Sequence, residues 1–234
     1  FLDGIELFRT PTRLIYTRKI ANPVAAAKIA GKIGNTTIGF ISAADNTGSS
    51  ISNLDAAYVN VLRLKRDISN QNHIGLVYTD HIHNDWSNRV LAFDGKFIAK
   101  DKYSFRAQSG FSVTSNNTEN GKIAPMWNIA ANASGRKWSS AFSTTAYHGD
   151  FNPAVGFIER EDYVTVSAGP TRRFYGKEGA FLEQLSLSYK LVGNWNYQGF
   201  ILNDKPDDRR MYPSFSMQFK GGWRFTNFTW IEYF

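Results

Sequence analysis

The sequence predicts an all-β chain: an antiparallel up-and-down transmembrane β-barrel of about 14 strands, either complete or part of a larger barrel. Three observations predict it. Apolar and polar residues alternate along much of the chain, and side chains on a strand alternate with a period of two. Aromatic residues make up 15% of the 234 residues, with 18 Phe, 11 Tyr and 6 Trp, enough to line both interfaces of a bilayer. Short turn signals alternate with longer polar loops, as in a meander with one short and one long rim.

Lys102 to Val113 shows the pattern most clearly. Tyr103, Phe105, Ala107, Ser109, Phe111 and Val113 share one face, and Ser104, Arg106, Gln108, Gly110 and Ser112 the other. The stretch is as long as a tilted strand that crosses a bilayer, roughly 9–11 residues. The polar face reads as wet and the apolar face as lipid-facing.

The other elements follow in order. Residues 1–12 read as a lead-in, and 13–234 as a single barrel domain. Arg13 to Ile20 reads as a first strand, closed by the Asn22-Pro23 turn. Val24 to Ile33 and Thr36 to Ala44 form a hairpin about Gly34-Asn35. A polar loop, Asn46 to Asp55, precedes strands over Ala56–Asp67, His73–His81 and Asn88–Ala99. After the Lys102–Val113 strand, a second polar loop covers Thr114 to Gly121. Met126–Ala133 and Lys137–Tyr147 pair about Ser134-Gly135. Gly149 to Asp162 is the longest irregular stretch, followed by strands over Tyr163–Thr171, Phe181–Leu191 and Asn194–Leu202. Lys205 to Arg210 reads as a charged loop, and Tyr212–Lys220 with Trp223–Tyr233 as a closing hairpin about Gly221-Gly222.

Composition bounds the function. The chain has no cysteine, which excludes disulfides, thiolate metal sites and cysteine nucleophiles. No apolar run approaches the roughly 18 residues of a membrane helix. No signal peptide is visible, and a start at Phe1 reads as a mature or truncated end. The net charge is +7, but the basic residues are scattered singly along alternating strands, which argues against nucleic acid.

Several pieces together resemble the DUF5916 barrel domain. They are FLDGIELF (Phe1–Phe8), LIYTRKI (Leu14–Ile20), AKIAGKIGNTTIG (Ala27–Gly39), VLRLKRD (Val61–Asp67) and NPAVGFIERED (Asn152–Asp162). The resemblance covers the chain from Phe1 to about Asp162 and contains no catalytic signature. It implies a Gram-negative outer-membrane barrel, with an upstream carbohydrate-binding family 9-like domain outside this chain. Any contact with a glycan would belong to that domain.

The candidate residues follow from the faces. Lys28, Lys32, Arg63, Lys65 and Arg106 are lumen-facing basic candidates for a passage that favours anions. Ordinary pairing with Asp94, Glu183 and other lumen acids is the simpler reading. Tyr103, Phe105, Phe111, Trp127, Trp138, Trp223 and Trp230 are lipid-facing or interface aromatics, the tryptophans placed near strand ends. His81 and His83 lie on one face beside Asp80 and Asp85 and are the only hint of a metal. The reading assigns them to a polar rim, with no metal and no cofactor. Glu159 and Glu161, beside Arg160 and Asp162, lack the opposed placement that glycoside hydrolysis needs and read as solvated surface, as do Asp207 to Arg210. No phosphate loop, nucleophile elbow or zinc-protease motif is present.

The expectation is therefore a bacterial outer-membrane protein that acts as pore, anchor or scaffold without catalysis. Its partners are the lipid bilayer and other envelope proteins. A soluble all-β carbohydrate-binding module and an outer-membrane enzyme with a loop-borne site are the alternatives.

Overall fold

The computed structural model describes residues 5–46, 56–116 and 121–233. The start of the lead-in, most of the Asn46–Asp55 loop and the centre of the Thr114–Gly121 loop lie outside the described residues. The strands are β1 (Pro23–Ile33), β2 (Thr36–Asn46), β3 (Ala56–Asp67), β4 (His73–His83), β5 (Trp86–Ala99), β6 (Tyr103–Ser115), β7 (Lys122–Ser134), β8 (Trp138–Tyr147), β9 (Tyr163–Tyr175), β10 (Leu182–Trp195), β11 (Asp208–Phe219), β12 (Arg224–Phe228) and β13 (Ile231–Tyr233). They form an up-and-down sheet of 13 strands in chain order from β1 to β12, with β13 pairing β11.

Three expected strands are corrected. Arg13–Ile20 is not a strand: it holds a 3-10 turn at Thr17–Lys19 and runs irregularly, because Leu14 and Ile20 are buried against the sheet. Asn194–Leu202 is not a strand either. β10 runs on to Trp195, and a short helix α1 (Tyr197–Ile201) begins where the Asn196 side chain accepts the Gly199 amide at 2.7 Å. The closing strand Trp223–Tyr233 is two strands, β12 and β13, which pair successive parts of β11. The charged loop is shorter than expected, since Asp208, Arg209 and Arg210 open β11.

The chain divides into two compact units. Unit 1 comprises residues 1–97, 106–128 and 147–162; unit 2 comprises 98–105, 129–146 and 163–234. In unit 1, the register of β1 to β5 aligns residues across the strands in rows, each row on one face. One face carries Ile38, Leu64, Leu76 and Phe93 in a row, then Phe40, Leu62, Tyr78 and Leu91 in the next. This face is open: Phe93 and Phe97 stand exposed on it. A polar row of Ser42, Asn60, Asp80 and Arg89 borders it on one side, and a mixed row of Thr36, Arg66, Ile74 and Gly95 lies towards the other.

The opposite face of unit 1 is covered by the chain itself. Phe8 from the lead-in, Ile20 from the segment that follows it and Val155 from the 148–162 stretch bury against Ile41, Ala43, Val59 and Val61. Leu14 and Phe151 bury against Val77, Val90, Ala92, Ala124 and Met126. Each such side chain gains roughly 1.5–3 kcal/mol on leaving water. The two covering segments also bind each other, as the Tyr16 amide donates to Val155 O and the Phe157 amide to Arg13 O, both at 2.7 Å. The expectation of a wet, lumen-facing polar face is thus corrected for unit 1, whose covered face is a packed core.

Unit 2 differs. The β9–β10–β11 register puts Ser167, Thr171, Ser188, Lys190 and Ser214 on one face and Leu185, Leu187, Tyr189 and Leu191 on the other. The polar face is knit by hydroxyl pairs, Ser143 with Ser167 at 2.9 Å and Thr171 with Ser188 at 3.0 Å. It lines a cavity of about 420 Å3. The apolar face leaves Leu187, Tyr189 and Leu191 exposed.

Candidate functional site

Two features of unit 1 stand out on its covered face: polar anchors for the covering segments, and a basic cavity at the turn end of β1–β5. Both follow from the register.

The anchors are Asn88, Gln108 and Ser112, buried polar residues on β5 and β6. Gln108 Oε1 accepts hydrogen bonds from the Thr12 amide at 2.9 Å and the Thr12 hydroxyl at 2.7 Å. Asn88 Nδ2 donates to Thr114 Oγ1 and to Asn152 O, both at 2.8 Å, while its Oδ1 accepts from the Ala154 amide at 3.1 Å. Ser112 Oγ accepts from the Asn152 amide at 3.0 Å. Buried polar groups are costly when unpaired, so these bonds fix where the segments sit. Gly39 supplies the seat for Phe8, since a Cβ there would lie 2.8 Å from the ring.

The cavity measures about 840 Å3. One row across the covered face reads Lys32, Thr37, Lys65, Gly75 and Asp94. The next row towards the turn holds Asp67, His73 and Lys96. The row below holds Arg63. Arg63 and Asp94 form a buried bidentate ion pair, Nη2 to Oδ1 at 2.9 Å and Nη1 to Oδ2. Gly75 makes room for it: a Cβ there would lie 2.7 Å from Asp94 Oδ2.

Above that pair, the lysines share one acid. Lys32 Nζ donates to Asp67 Oδ2 at 2.6 Å, and Lys65 Nζ lies 3.9 Å from Oδ1. Lys96 has no ion-pair partner among the described residues. Asp67 is the last residue of β3 and His73 the first of β4, so both lie at the rim beside the turn that joins the two strands. The Lys32 hydrogen bond holds the Asp67 carboxyl below the ordinary carboxylate range. Burial pushes the His73 imidazole below its ordinary value, and Lys65 adds to the effect. The cavity's positive charge therefore comes from its lysines.

The expected basic residues fall as follows. Lys28, Lys32, Arg63 and Lys65 all share the covered face, and Lys28 Nζ stands 5.9 Å from the centre of the Phe8 ring. Only Lys32 and Lys65 line the cavity. Arg106 is exposed on β6, away from that row. Lys96 and His73 join the site although the sequence did not single them out.

The aromatics divide similarly. Tyr103, Phe105, Phe111, Trp138, Trp223 and Trp230 are exposed, with Trp223 at 76%. Trp138 stacks against the Arg172 guanidinium at 4.5 Å, in a cluster with Phe174. Trp127 lies inside β7 rather than near its start, because β7 begins at Lys122, and it is half-buried. His81 packs edge-on to Trp86 at 5.2 Å on β4 beside His83. Among the described residues no group of three or more His, Cys, Asp or Glu side chains gathers to hold a metal. Glu159 and Glu161 are exposed on a stretch anchored by Phe151 and Val155. Asp208 and Arg210 are not free surface charges: Asp208 accepts from Asn194 Nδ2 at 3.1 Å and pairs with Arg210.

No family model and no curated protein matches the chain. Among solved structures the chain is similar to Pseudomonas aeruginosa OccK11 (OpdR), with a TM-score of 0.39 and 11% identity over 88% of this chain and 68% of that one. A likeness at that level says nothing of what this chain carries or binds.

Proposed function

We propose that the protein is a bacterial outer-membrane β-barrel that serves as an anchor or scaffold, with the covered face of unit 1 filled by the chain itself. The observation that carries this reading is the reversal of burial on unit 1. The face expected to be wet is packed with Ile41, Val59, Val61, Val77 and Val90, while large apolar side chains such as Phe93, Phe97 and Phe111 stand exposed on the strands. Exposed apolar surface of that kind marks a membrane or a partner, and the alternating strands satisfy their backbone groups through the ladder, as a bilayer demands. A filled face suits holding or display better than free passage. Membership of the DUF5916 barrel family, without catalysis, belongs to the same reading.

The test is fractionation of cells expressing the protein, with detergent extraction and a gel run with and without boiling. A detergent-dependent band that shifts on heating is expected. A band in the aqueous fraction, unaffected by boiling, contradicts the reading and favours a soluble module.

A further inference from the structure

We propose that the cavity at the turn end of β1–β5 binds a soluble phosphate-class polyanion, pyrophosphate or a phosphate ester, on Lys32, Lys65 and Lys96. This goes beyond the anchoring role and does not depend on it.

Charge is the first reason. Three ammonium groups line the cavity and face one carboxylate, Asp67, because Asp94 is already committed to Arg63. Lys32 and Lys65 both turn to Asp67, and Lys96 lacks an ion-pair partner among the described residues. An incoming anion would meet ammonium groups on three alternate strands of the sheet, β1, β3 and β5. Lysine is a compact point charge and binds phosphate oxygens well.

Shape and lining are the second reason. The volume of about 840 Å3 exceeds what a single small anion fills. Beside Ile68 and His73, the lining carries amides and a hydroxyl from Asn35, Ser69, Asn70 and Gln71, which can serve further oxygens. No Phe, Tyr or Trp lines it, so a neutral sugar finds no ring to stack on. The lysines lie on the covered face of the sheet, whereas a lipid would approach the open apolar rows. That separation favours a soluble compound over a lipid headgroup.

The experiment is calorimetric titration of the intact protein, in detergent micelles at low salt, with inorganic pyrophosphate. One binding event per chain is expected, weakening as salt rises. Lys96→Gln is the first variant because it removes no ion pair among the described residues, and it should weaken binding about tenfold. Lys65→Gln should do the same. Arg66→Gln changes the same charge on the opposite face and should leave the affinity within about twofold. Circular dichroism of each variant confirms that the sheet is intact. Absence of binding by the wild-type protein overturns the proposal, as does equal weakening by Arg66→Gln. A parallel arm uses native mass spectrometry in micelles doped with phosphatidylglycerol. Lipid retained by the wild type and lost in Lys96→Gln, without pyrophosphate binding, assigns the site to a headgroup and also overturns it. Failure in either arm leaves the fractionation result, and so the membrane reading, untouched.

Discussion

Arg63 and Asp94 show how much a single residue pair carries. Both side chains are almost fully buried, and each satisfies the other's charge. A buried pair of this kind adds little over an apolar replacement, but removing one partner strands the other. Asp94→Ala is expected to destabilise the protein by about 3–5 kcal/mol, measured by urea-dependent unfolding in lipid or detergent. Faces can be tested one residue apart. On β6, Phe105 is 44% exposed among the strand's apolar residues, while Arg106 belongs to its polar set. Phe105→Arg is expected to block insertion or cost roughly 2–4 kcal/mol, and Arg106→Ser to be tolerated, in a folding assay with vesicles. Equal effects at both positions would sink the two-faced assignment. Single residues also mark where sequence reading stops. Gln108 is legible as a polar residue on a strand, but its partner Thr12 lies 96 positions away, and no local pattern links them.

Elements are legible in the sequence where one period dominates. The alternation in β3 and β6 reflects a sheet with one face open and one face occupied, and period two is the direct signature of that arrangement. The failures have physical causes. Leu14, Tyr16 and Ile20 resemble one face of a strand, yet they serve a segment that docks on the sheet without joining it. Burial asks only for apolar side chains and does not say whether their backbone pairs. At α1 the signal was present in Asn196 followed three residues later by Gly199, a capping arrangement outweighed by the apolar residues around it. The covering segments offer an element-scale prediction. A Cβ on Gly156 would lie 2.7 Å from Arg13 O and 2.8 Å from Leu14 O, so the two segments meet only because that position is glycine. Gly156→Val is expected to separate them. Hydrogen exchange at the Tyr16 and Phe157 amides, now bonded at 2.7 Å, should then speed up at least tenfold while the β3 and β4 amides keep their protection.

At the scale of the whole molecule, two units divide the labour. Unit 1 has a dry, packed covered face with a basic cavity at its rim, and unit 2 has a hydroxyl-lined face with a cavity of its own. The basic cavity was half legible: Lys32 and Lys65 stand out as basic residues on alternating strands, but Lys96 and His73 join them only through a register fixed across four hairpin pairings. Shifting any one of those pairings by a single residue would move its lysine to the other face. What both units share is exposed apolar surface, Phe93 and Phe97 in the first and Leu187, Leu191 and Phe225 in the second. The central claim is that this surface meets lipid. The chain has no native cysteine, so a nitroxide label at Phe93→Cys or Leu187→Cys reports from one place only. The decisive measurement is the collision rate of each label with oxygen, which concentrates in the bilayer, and with a water-soluble nickel chelate, after reconstitution into vesicles. Oxygen collisions that dominate at both labels are the predicted result. Nickel collisions that dominate at both would place these faces in water and contradict the account.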